Sequence, residues 1–247
     1  MNKKITIIGI LVIVLAIFTA GCINIPGVEE PVADRVIPIR GDIPPIPENI
    51  IPLDLATFFN EFDRDGNGAL DIGEAQDFFY WVEDNIEYRW DCERAHLLDP
   101  DFSPGSPVGD GRPGADYGQT PYETWTERAG DCEDMAILQV AFFNHFGISA
   151  YIATVATRPN GVMDHAIAVV YIAGSAEEFA DLLGGIIYYD LNGKYYMLVD
   201  NAYSDAFGDL SGGLERGAFY MKPWRDGQYL FTLEEKYEID RHIREGK

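Results

Sequence analysis

"AGDCEDMAILQVAFFNHFG" (residues 129–147) is the stretch on which the fold prediction depends. The letters after CED are almost entirely apolar, which predicts a buried helix, and Gly147 suits the position that follows a helix end. Asp131 is a good N-cap, and Asp134 occupies the place of the capping-box glutamate three residues later. The stretch therefore predicts a helix that begins at Cys132, inside a cluster of acidic residues.

The segments around this helix predict the class of the fold. Upstream, "LDLATFFNEF" and "EAQDFFYWVEDNIEY" have apolar residues at helical spacing. Downstream, "SAYIATVAT" and "HAIAVVYI" have the composition of strands, and "IIYYDLNGKYYMLVDN" predicts a hairpin with Asn192-Gly193 at its turn. Helices followed by an antiparallel sheet predict an α+β fold.

The N-terminal region predicts export and a membrane anchor. Residues 1–22 contain two lysines, an apolar run and "TAGC", an ending that resembles a lipoprotein signal cleaved before a lipid-carrying Cys22. A plain membrane anchor and an ordinary signal peptide are the alternatives, but the run is short for a span of ~20 residues. Residues 23–52 contain seven prolines and predict a semi-rigid tether. We therefore expect a lipid-anchored protein at the cell membrane, with its globular part outside the cytoplasm.

Charge and cysteine usage exclude some classes of function. The formal net charge of −23 argues against nucleic-acid binding and against a polybasic membrane patch. Once Cys22 is assigned to the lipid, Cys92 and Cys132 remain, and two thiols can form a disulfide in an oxidising compartment. That pairing would remove the reactive thiol. Because the sequence has no disulfide framework, chemistry is the better explanation of Cys132.

"DRDGNGALDIGE" (residues 63–74) matches the twelve-residue EF-hand loop, with glycine at its sixth position and an apolar residue at its eighth. The predicted calcium ligands are Asp63, Asp65, Asn67, the carbonyl of Ala69, Asp71 and Glu74. The helix–loop–helix is expected over residues 53–87. Because the loop is single, a structural brace is favoured over a sensor. The alternative is a solvated acidic loop.

A nucleophile, a base and an orienting acid can be assigned from the residues. Cys132 lies at a predicted helix start, where the helix dipole favours a thiolate. The capping carboxylates have local roles, so we expect them not to crowd the sulfur. His165 begins a predicted strand, and Asp200 ends a strand that lies beside it if the sheet is sequential, which fits nucleophile–base–orienter logic. The weaker candidates for base and orienter are His96, His145, His242, Asp190 and Asn201.

"GDCEDMA", "DHAIAVVY" and "LVDNAY", in this order, resemble the transglutaminase-like superfamily, whose papain-related α+β core carries Cys, His and Asp. "DYGQTPYETWTERAGDCEDMAI" is most similar to the bacterial transglutaminase-like cysteine proteinases. The resemblance is clear over residues 76–205 of a catalytic domain expected over 76–247. It implies that Cys132 is the nucleophile, His165 the general base and acid, and Asp200 the orienter.

The resemblance also implies a second calcium site. Some of these proteinases depend on calcium, and acids that flank their cysteine take part. Asp131 and Glu133 match those places.

The oxyanion hole is less well defined. The backbone N–H of Cys132 is the expected first donor. Gln119 and Trp125 are candidates for the second, the alternative being that Trp125 is a core residue and Gln119 a loop residue. Residues 99–121, rich in Gly, Pro and Asp, predict either a substrate-contacting lid or an ordered surface loop.

Together these features predict a cysteine peptidase or amidase that uses a thioester intermediate, with a protein or peptide substrate at the cell surface and calcium as cofactor. Two alternatives stay open. One is a crosslinking acyl transferase, in which an amine replaces water. The other is a calcium-braced, non-catalytic module that holds peptide or a cell-surface polymer.

Overall fold

The computed structural model describes residues 49–91, 118–156, 165–175, 188–191, 194–204, 206–208, 220–221 and 230–244. All of them belong to Val32–Lys247, one of two units into which the chain divides. Several predictions lie outside the described residues: the signal with Cys22, the tether up to residue 48, the loop up to residue 117, Cys92, His96, and the side chains of Asp190 and His242.

The first elements form a helix, a loop and a second helix. They are α1 (Leu53–Phe59), a 3-10 turn (Asn60–Phe62) and α2 (Ile72–Asn85). The Asp71 carboxylate accepts a hydrogen bond from the N–H of Glu74 at 2.7 Å, and the Glu74 carboxylate accepts one from the N–H of Asp71 at 2.9 Å. This capping box satisfies donors that the first turn of α2 would leave unpaired.

The next elements lead to the helix that begins at Cys132, the cysteine helix. They are β1 (Glu87–Tyr88), α3 (Pro121–Glu127), β2 (Ala129–Gly130) and α4 (Cys132–His145). The predicted buried helix is confirmed, because nearly every side chain of α4 is buried. Its predicted ends are also confirmed: Asp131 is the N-cap, and Gly147, with φ of 73°, follows the C-cap residue Phe146. Strands β1 and β2 pair in parallel just before α4.

The remaining strands form one sheet. They are β3 (Ala150–Ala156), β4 (His165–Ala173), β5 (Tyr188–Leu191), β6 (Lys194–Val199), β7 (Tyr220–Met221) and β8 (Leu230–Phe231). Their order is β5-β6-β4-β3-β7, with β8 beside β3, and every pairing is antiparallel. The predicted α+β fold is therefore confirmed.

The pairing of β4 with β6 brings two predicted site residues to the same edge of the sheet. Ala168 of β4 lies opposite Val199 of β6. In an antiparallel pair the start of one strand lies beside the end of its neighbour. His165, at the start of β4, and Asp200, just after β6, are consequently neighbours. They were expected together in a sequential sheet, but the sheet is not sequential, because β5 lies on the outer side of β6.

Side chains on both faces of β4 are buried. Ala168, Val170 and Ile172 share a core with α4, while Ile167 and Val169 belong to a second core on the other face. In the first core, the rings of Phe78 in α2 and Phe142 in α4 stack with centroids 3.8 Å apart. The helix–loop–helix and the cysteine helix thus share one packed interior.

The last described element, α5 (Leu233–Arg244), lies beside α4 and buries Leu233 in the first core. Within the described ranges, none of the helices combines the length and the apolar character that crossing a membrane requires.

Candidate active site

Cys132 is the first residue of α4 and carries a free thiol. Only 8% of its surface is exposed. The Asp131 carboxylate accepts hydrogen bonds from the N–H groups of Glu133 at 2.9 Å and Asp134 at 3.4 Å, which anchors the start of the helix. The sulfur therefore lies where the positive end of the helix dipole favours an anion.

His165 and Asp200 form a buried pair at the edge of the sheet. His165 Nε2 lies 2.8 Å from Asp200 Oδ2, and each side chain is only 1% exposed. The other carboxylate oxygen, Oδ1, accepts hydrogen bonds from the N–H groups of Ala202 at 2.9 Å and Tyr203 at 3.3 Å. Both oxygens of Asp200 are thus used, one of them to orient the imidazole.

The second imidazole nitrogen is available for proton transfer. His165 Nδ1 is buried and has no hydrogen-bond partner among the described residues. The N–H of Ala166, the residue after His165, donates to the Cys132 sulfur, so the start of β4 lies against the thiol. The ring of Tyr203 contacts the imidazole edge-on, with centroids 4.6 Å apart. The structure therefore brings the three predicted residues into one site.

The acidic neighbours do affect the sulfur. Burial raises the pKa of the Cys132 thiol well above its usual value, and the charge of Asp131 raises it further. The Ala166 N–H lowers this pKa, while Glu133 and Asp200 raise it. The expectation that the capping carboxylates do not crowd the sulfur does not extend to charge, since that of Asp131 raises the pKa of the thiol. Its cap is present, but its charge remains close to the thiol.

Asp134 organises the segment before the helix. Its carboxylate is completely buried and accepts hydrogen bonds from the N–H of Gln119 at 2.6 Å, from Gln119 Nε2 at 2.9 Å and from the N–H of Asp131 at 3.0 Å. Burial raises the pKa of Asp134 well above its usual value, and these backbone N–H groups oppose the rise. A Cβ on Gly130 would lie 2.5 Å from the Asp134 Cβ, so this close approach requires glycine.

The two oxyanion candidates lie in different surroundings. Gln119 Nε2 donates to the carbonyl of Ala129 at 3.2 Å as well as to Asp134, so both of its N–H groups are engaged. Trp125 packs against the rings of Phe58 and Tyr122, with centroids 5.4 and 5.7 Å apart. Its Nε1 is buried without a hydrogen-bond partner in the described part of the chain. An oxyanion role for either side chain stays a prediction, and the engaged amide of Gln119 argues against that residue.

Helix α5 contributes charged residues that the sequence analysis missed. Lys236 Nζ lies 2.9 Å from Glu133 Oε1 and also binds the Asp240 carboxylate. Burial alone would lower the pKa of Lys236, but Glu133 and Asp240 together raise it. Burial and the charge of Glu133 raise the pKa of Asp240 to about 6, although Lys236 and the N–H of Gly118 oppose the rise. No motif could have revealed this cluster, because a Lys-x-x-x-Asp pair on a helix resembles an ordinary surface pair.

The predicted second calcium pair has other partners. Glu133 binds Lys236, and Asp131 caps α4. Within the described ranges, the one group of acidic side chains whose ligand atoms converge is Asp63, Asp65 and Glu74, with those atoms all within 4.8 Å of one another.

In the predicted calcium loop, carboxylates accept hydrogen bonds from backbone N–H groups. Asp63 accepts hydrogen bonds from the N–H groups of Asn67 at 3.1 Å and Gly68 at 2.9 Å, and Gly68 has φ of 76°. Glu74 accepts one from the N–H of Arg64 at 2.8 Å. Carboxylate oxygens are the ligands that calcium takes in proteins, so this donor set fits the ion. Of the remaining predicted ligands, Asp71 caps α2 and Ala69 donates its N–H to Asn67 Oδ1.

Three of the weaker candidates can also be placed. His145 Nε2 lies 2.7 Å from Asn60 Oδ1, at the far end of α4 from Cys132. Asn201 binds Gln139 and the carbonyl of Phe79 rather than the imidazole. Asp190 lies in β5, which is separated from β4 by β6. Asp200 is therefore the residue that the structure pairs with His165.

The chain is similar to a protein of known structure and matches a family model over part of its length. A candidate cysteine protease of known structure from Cytophaga hutchinsonii is similar to the chain at 18% identity and a TM-score of 0.33. The alignment covers 66% of this chain and 45% of that one, so the chain spans less than half of that protein's length. None of the curated proteins compared with the chain matches it. Residues 68–176, which include Cys132 and His165 but not Asp200, match the family model of a transglutaminase-like domain, and this match supports the transglutaminase-like superfamily for the cysteine-bearing part of the chain.

Proposed function

We propose that the protein is an extracytoplasmic thiol hydrolase that cleaves peptide or amide bonds with Cys132, His165 and Asp200. One observation carries the proposal. The thiol at a helix start accepts a hydrogen bond from the N–H of Ala166, and the preceding residue is a histidine oriented by a buried carboxylate. A nucleophile, a neighbouring base and an orienting acid in one place support nucleophilic catalysis by a cysteine.

The reaction would proceed in two halves. In the first, Cys132 Sγ attacks the amide carbonyl carbon while His165 Nδ1 takes the thiol proton, and the backbone N–H of Cys132 donates to the developing oxyanion. The C–N bond then breaks, the amine leaves with the proton from His165, and a thioester remains. In the second half, His165 takes a proton from water as the water attacks the thioester. The C–S bond breaks, the carboxylic acid leaves, and the thiol is restored.

Asp200 would serve this cycle by stabilising the imidazolium. His165 becomes positively charged in each half of the reaction, and Asp200 Oδ2 lies 2.8 Å from its Nε2. The same bond would hold the imidazole in one orientation and leave Nδ1 to exchange the proton. Because burial and nearby acids raise the pKa of the thiol, we expect His165 to take the proton as the sulfur attacks, and this assistance should act on an amide and on a small alkylating reagent alike.

A second function is favoured by a different observation. The thiol of Cys132 is buried, and its pKa is raised. Buried cysteines of raised pKa are usually inert. A calcium-braced module that holds peptide or a cell-surface polymer without catalysis would have such a residue.

Alkylation of the full chain with iodoacetamide separates these two functions. Peptide mass spectrometry would follow modification of Cys132, with N-acetylcysteine as the reference thiol and Cys132→Ala as the control. The hydrolase requires Cys132 to react faster than the reference and His165→Ala to remove that advantage. A Cys132 that reacts no faster than N-acetylcysteine would favour the binding module.

A peptide library would then separate hydrolysis from acyl transfer. Incubation with the protein, with and without dansylcadaverine, yields shortened peptides if water resolves the thioester. It yields fluorescent peptides if an amine does.

We also propose that calcium occupies the loop of residues 63–74 as a structural ion. The converging oxygens of Asp63, Asp65 and Glu74 support this assignment. The loop leads directly into α2, which packs on α4 through Phe78 and Phe142. Calcium would therefore brace the helix against which the cysteine helix packs.

The proposed location is the outer face of the cell membrane, with Cys22 as the lipid-bearing residue and a protein or peptide as substrate. The signal-like residues 1–22 and the acidic composition support this proposal. Metabolic labelling with an alkyne fatty acid tests it. We expect label on the wild-type chain and none on Cys22→Ala, which should also leave the membrane fraction if its signal is still cleaved.

A further inference from the structure

The orientation of His165 depends on the turn that follows β6. Asp200 Oδ2 binds the imidazole, and its Oδ1 binds the N–H groups of Ala202 and Tyr203. The carboxylate is thus fixed to the backbone of its own turn. Whatever fixes that turn relative to α4 also fixes the histidine relative to the cysteine.

The side chain of Asn201 makes this connection. Its Oδ1 accepts a hydrogen bond from Gln139 Nε2 at 2.7 Å, and its Nδ2 donates to the carbonyl of Phe79 at 3.0 Å. Gln139 and Phe79 are buried. One amide therefore joins the Asp200 turn to α4 and to α2 at once.

The position of Gln139 gives the contact its significance. Gln139 belongs to α4, the same helix that begins with Cys132, and lies seven residues, about two turns, after it. The hydrogen bond between Gln139 and Asn201 therefore links the helix of the nucleophile to the turn of the orienting acid. Both residues lie outside the Cys–His–Asp set, and Asn201 also lies beyond the segment matched by the family model.

We propose that Asn201 is a positioning residue that holds the Asp200–His165 pair in register with Cys132. This inference rests on the proposed hydrolase function. An amide suits the position because one planar group supplies both an acceptor for Gln139 and a donor for Phe79. Alanine would leave the buried amide of Gln139 without this acceptor and would release the turn from both helices.

A double-mutant cycle on the alkylation rate of Cys132 tests this role without knowledge of the substrate. The variants are Asn201→Ala, Asp200→Ala and the pair, with thermal unfolding measured for each. Asn144→Ala is the matched control. Asn144 lies in α4, at the opposite end from Cys132. Its side chain accepts a hydrogen bond from the N–H of Ala150 at 3.2 Å.

We expect Asn201→Ala to slow alkylation by about fivefold, the size of coupling found between neighbouring groups in one network. Asn144→Ala should slow it less than about twofold, because sites distant from the reacting groups act independently. The double variant should react no more slowly than Asp200→Ala, because Asn201 acts through Asp200. A purely structural role of Asn201 would instead give additive losses that follow the melting temperature.

If Asn201→Ala does not fold, Gln139→Met removes one of the two anchors while leaving Asn201 in place, and the same non-additivity with Asp200→Ala is expected. Rates that are unchanged or additive in the folded variants would overturn the inference alone, provided that the wild-type thiol is reactive. A wild-type thiol no faster than N-acetylcysteine would overturn the proposed hydrolase and this inference with it.

Discussion

Two acidic stretches of the molecule begin a helix with the same device. At the predicted calcium loop, Asp71 and Glu74 exchange side-chain and backbone hydrogen bonds, and at the cysteine helix Asp131 and Asp134 do the same. Both helices thus begin with an acidic N-cap and a second acidic residue three positions later. The difference lies in what balances the remaining negative charge.

In the loop, carboxylate oxygens of three residues converge on one point near the surface, and Asp65 is exposed. At the cysteine helix, the Asp134 carboxylate is completely buried and binds N–H groups of Gln119 and Asp131, while Glu133 binds Lys236. Arg64 lies 3.6 Å from Asp71 and 4.0 Å from Glu74, but its side chain is exposed, so the loop keeps the geometry for a cation from solution. The other cluster is compensated by buried groups of the protein itself. Acidic residues in a sequence do not by themselves distinguish the two kinds of cluster, because the distinction depends on which partners the fold brings to them.

The largest effect on stability is expected from replacing Lys236, the buried cation that binds Glu133 and Asp240. Lys236→Met should lower the free energy of unfolding by about 3–5 kcal/mol, because loss of one partner leaves buried charges uncompensated. Arg241→Met is the matched control. Arg241 and Glu238 form an exposed pair at 2.6 Å on the same helix, and such pairs contribute less than about 1 kcal/mol. Urea unfolding monitored by tryptophan fluorescence measures both, and equal losses would contradict the assigned burial of Lys236.

The second-largest effect on stability is expected from calcium binding at the predicted loop. Calcium at about 100 times its dissociation constant should raise the free energy of unfolding by about 2.7 kcal/mol, and Glu74→Gln should remove most of this gain. Asp77→Asn, in the same helix but outside the loop motif, should retain it. Thermal unfolding in calcium and in EGTA gives the comparison. A calcium effect that survives Glu74→Gln would place the ion elsewhere.

These two regions also differ in how well the sequence predicts them. Every predicted ligand of the loop lies within twelve residues, so the spacing of Asp63, Asp65 and Glu74 already implies their convergence. The cap at Asp131 is equally local. The neighbourhood of His165 and Asp200 was expected on the assumption that consecutive strands pair, but β4 pairs with β6 and β5 lies on the outer side of β6. The two residues are therefore neighbours through a strand order that the sequence did not predict.

The contacts that escaped prediction join distant parts of the chain through single side chains. Lys236 and Glu133 meet only because α5 lies beside α4. Asn201 follows the orienting acid and looked like a weaker substitute for it, yet its amide binds two helices. Such contacts have no spacing rule, since they depend on tertiary packing that local periodicity does not encode.

A smaller effect should appear in the pH dependence of stability. The folded-state pKa of Asp240 is raised to about 6 from the ordinary 3.8. As the pH falls, the folded protein binds this proton before the unfolded chain does, so the group adds stability that is lost again as the pH rises through 6. From pH 7 to 5 the expected gain is about 1 kcal/mol, and Asp240→Asn should lack it. Parallel urea titrations of the two proteins at both pH values measure the difference, and identical slopes would contradict the raised pKa.

The smallest effect on stability, and the sharpest on chemistry, should come from exchanging the caps. Serine caps a helix about as well as aspartate, so Asp131→Ser should change the free energy of unfolding by no more than about 0.5 kcal/mol. Because the charge of Asp131 raises the pKa of the Cys132 thiol, the variant should shift the alkylation profile of Cys132 to lower pH. Asp71→Ser makes the same exchange in the other capping box and should leave that profile unchanged. If both variants shift the profile equally, the influence of Asp131 is not local. If neither does, proximity of the acid to the sulfur has no chemical consequence, and the two acidic stretches differ only in their partners.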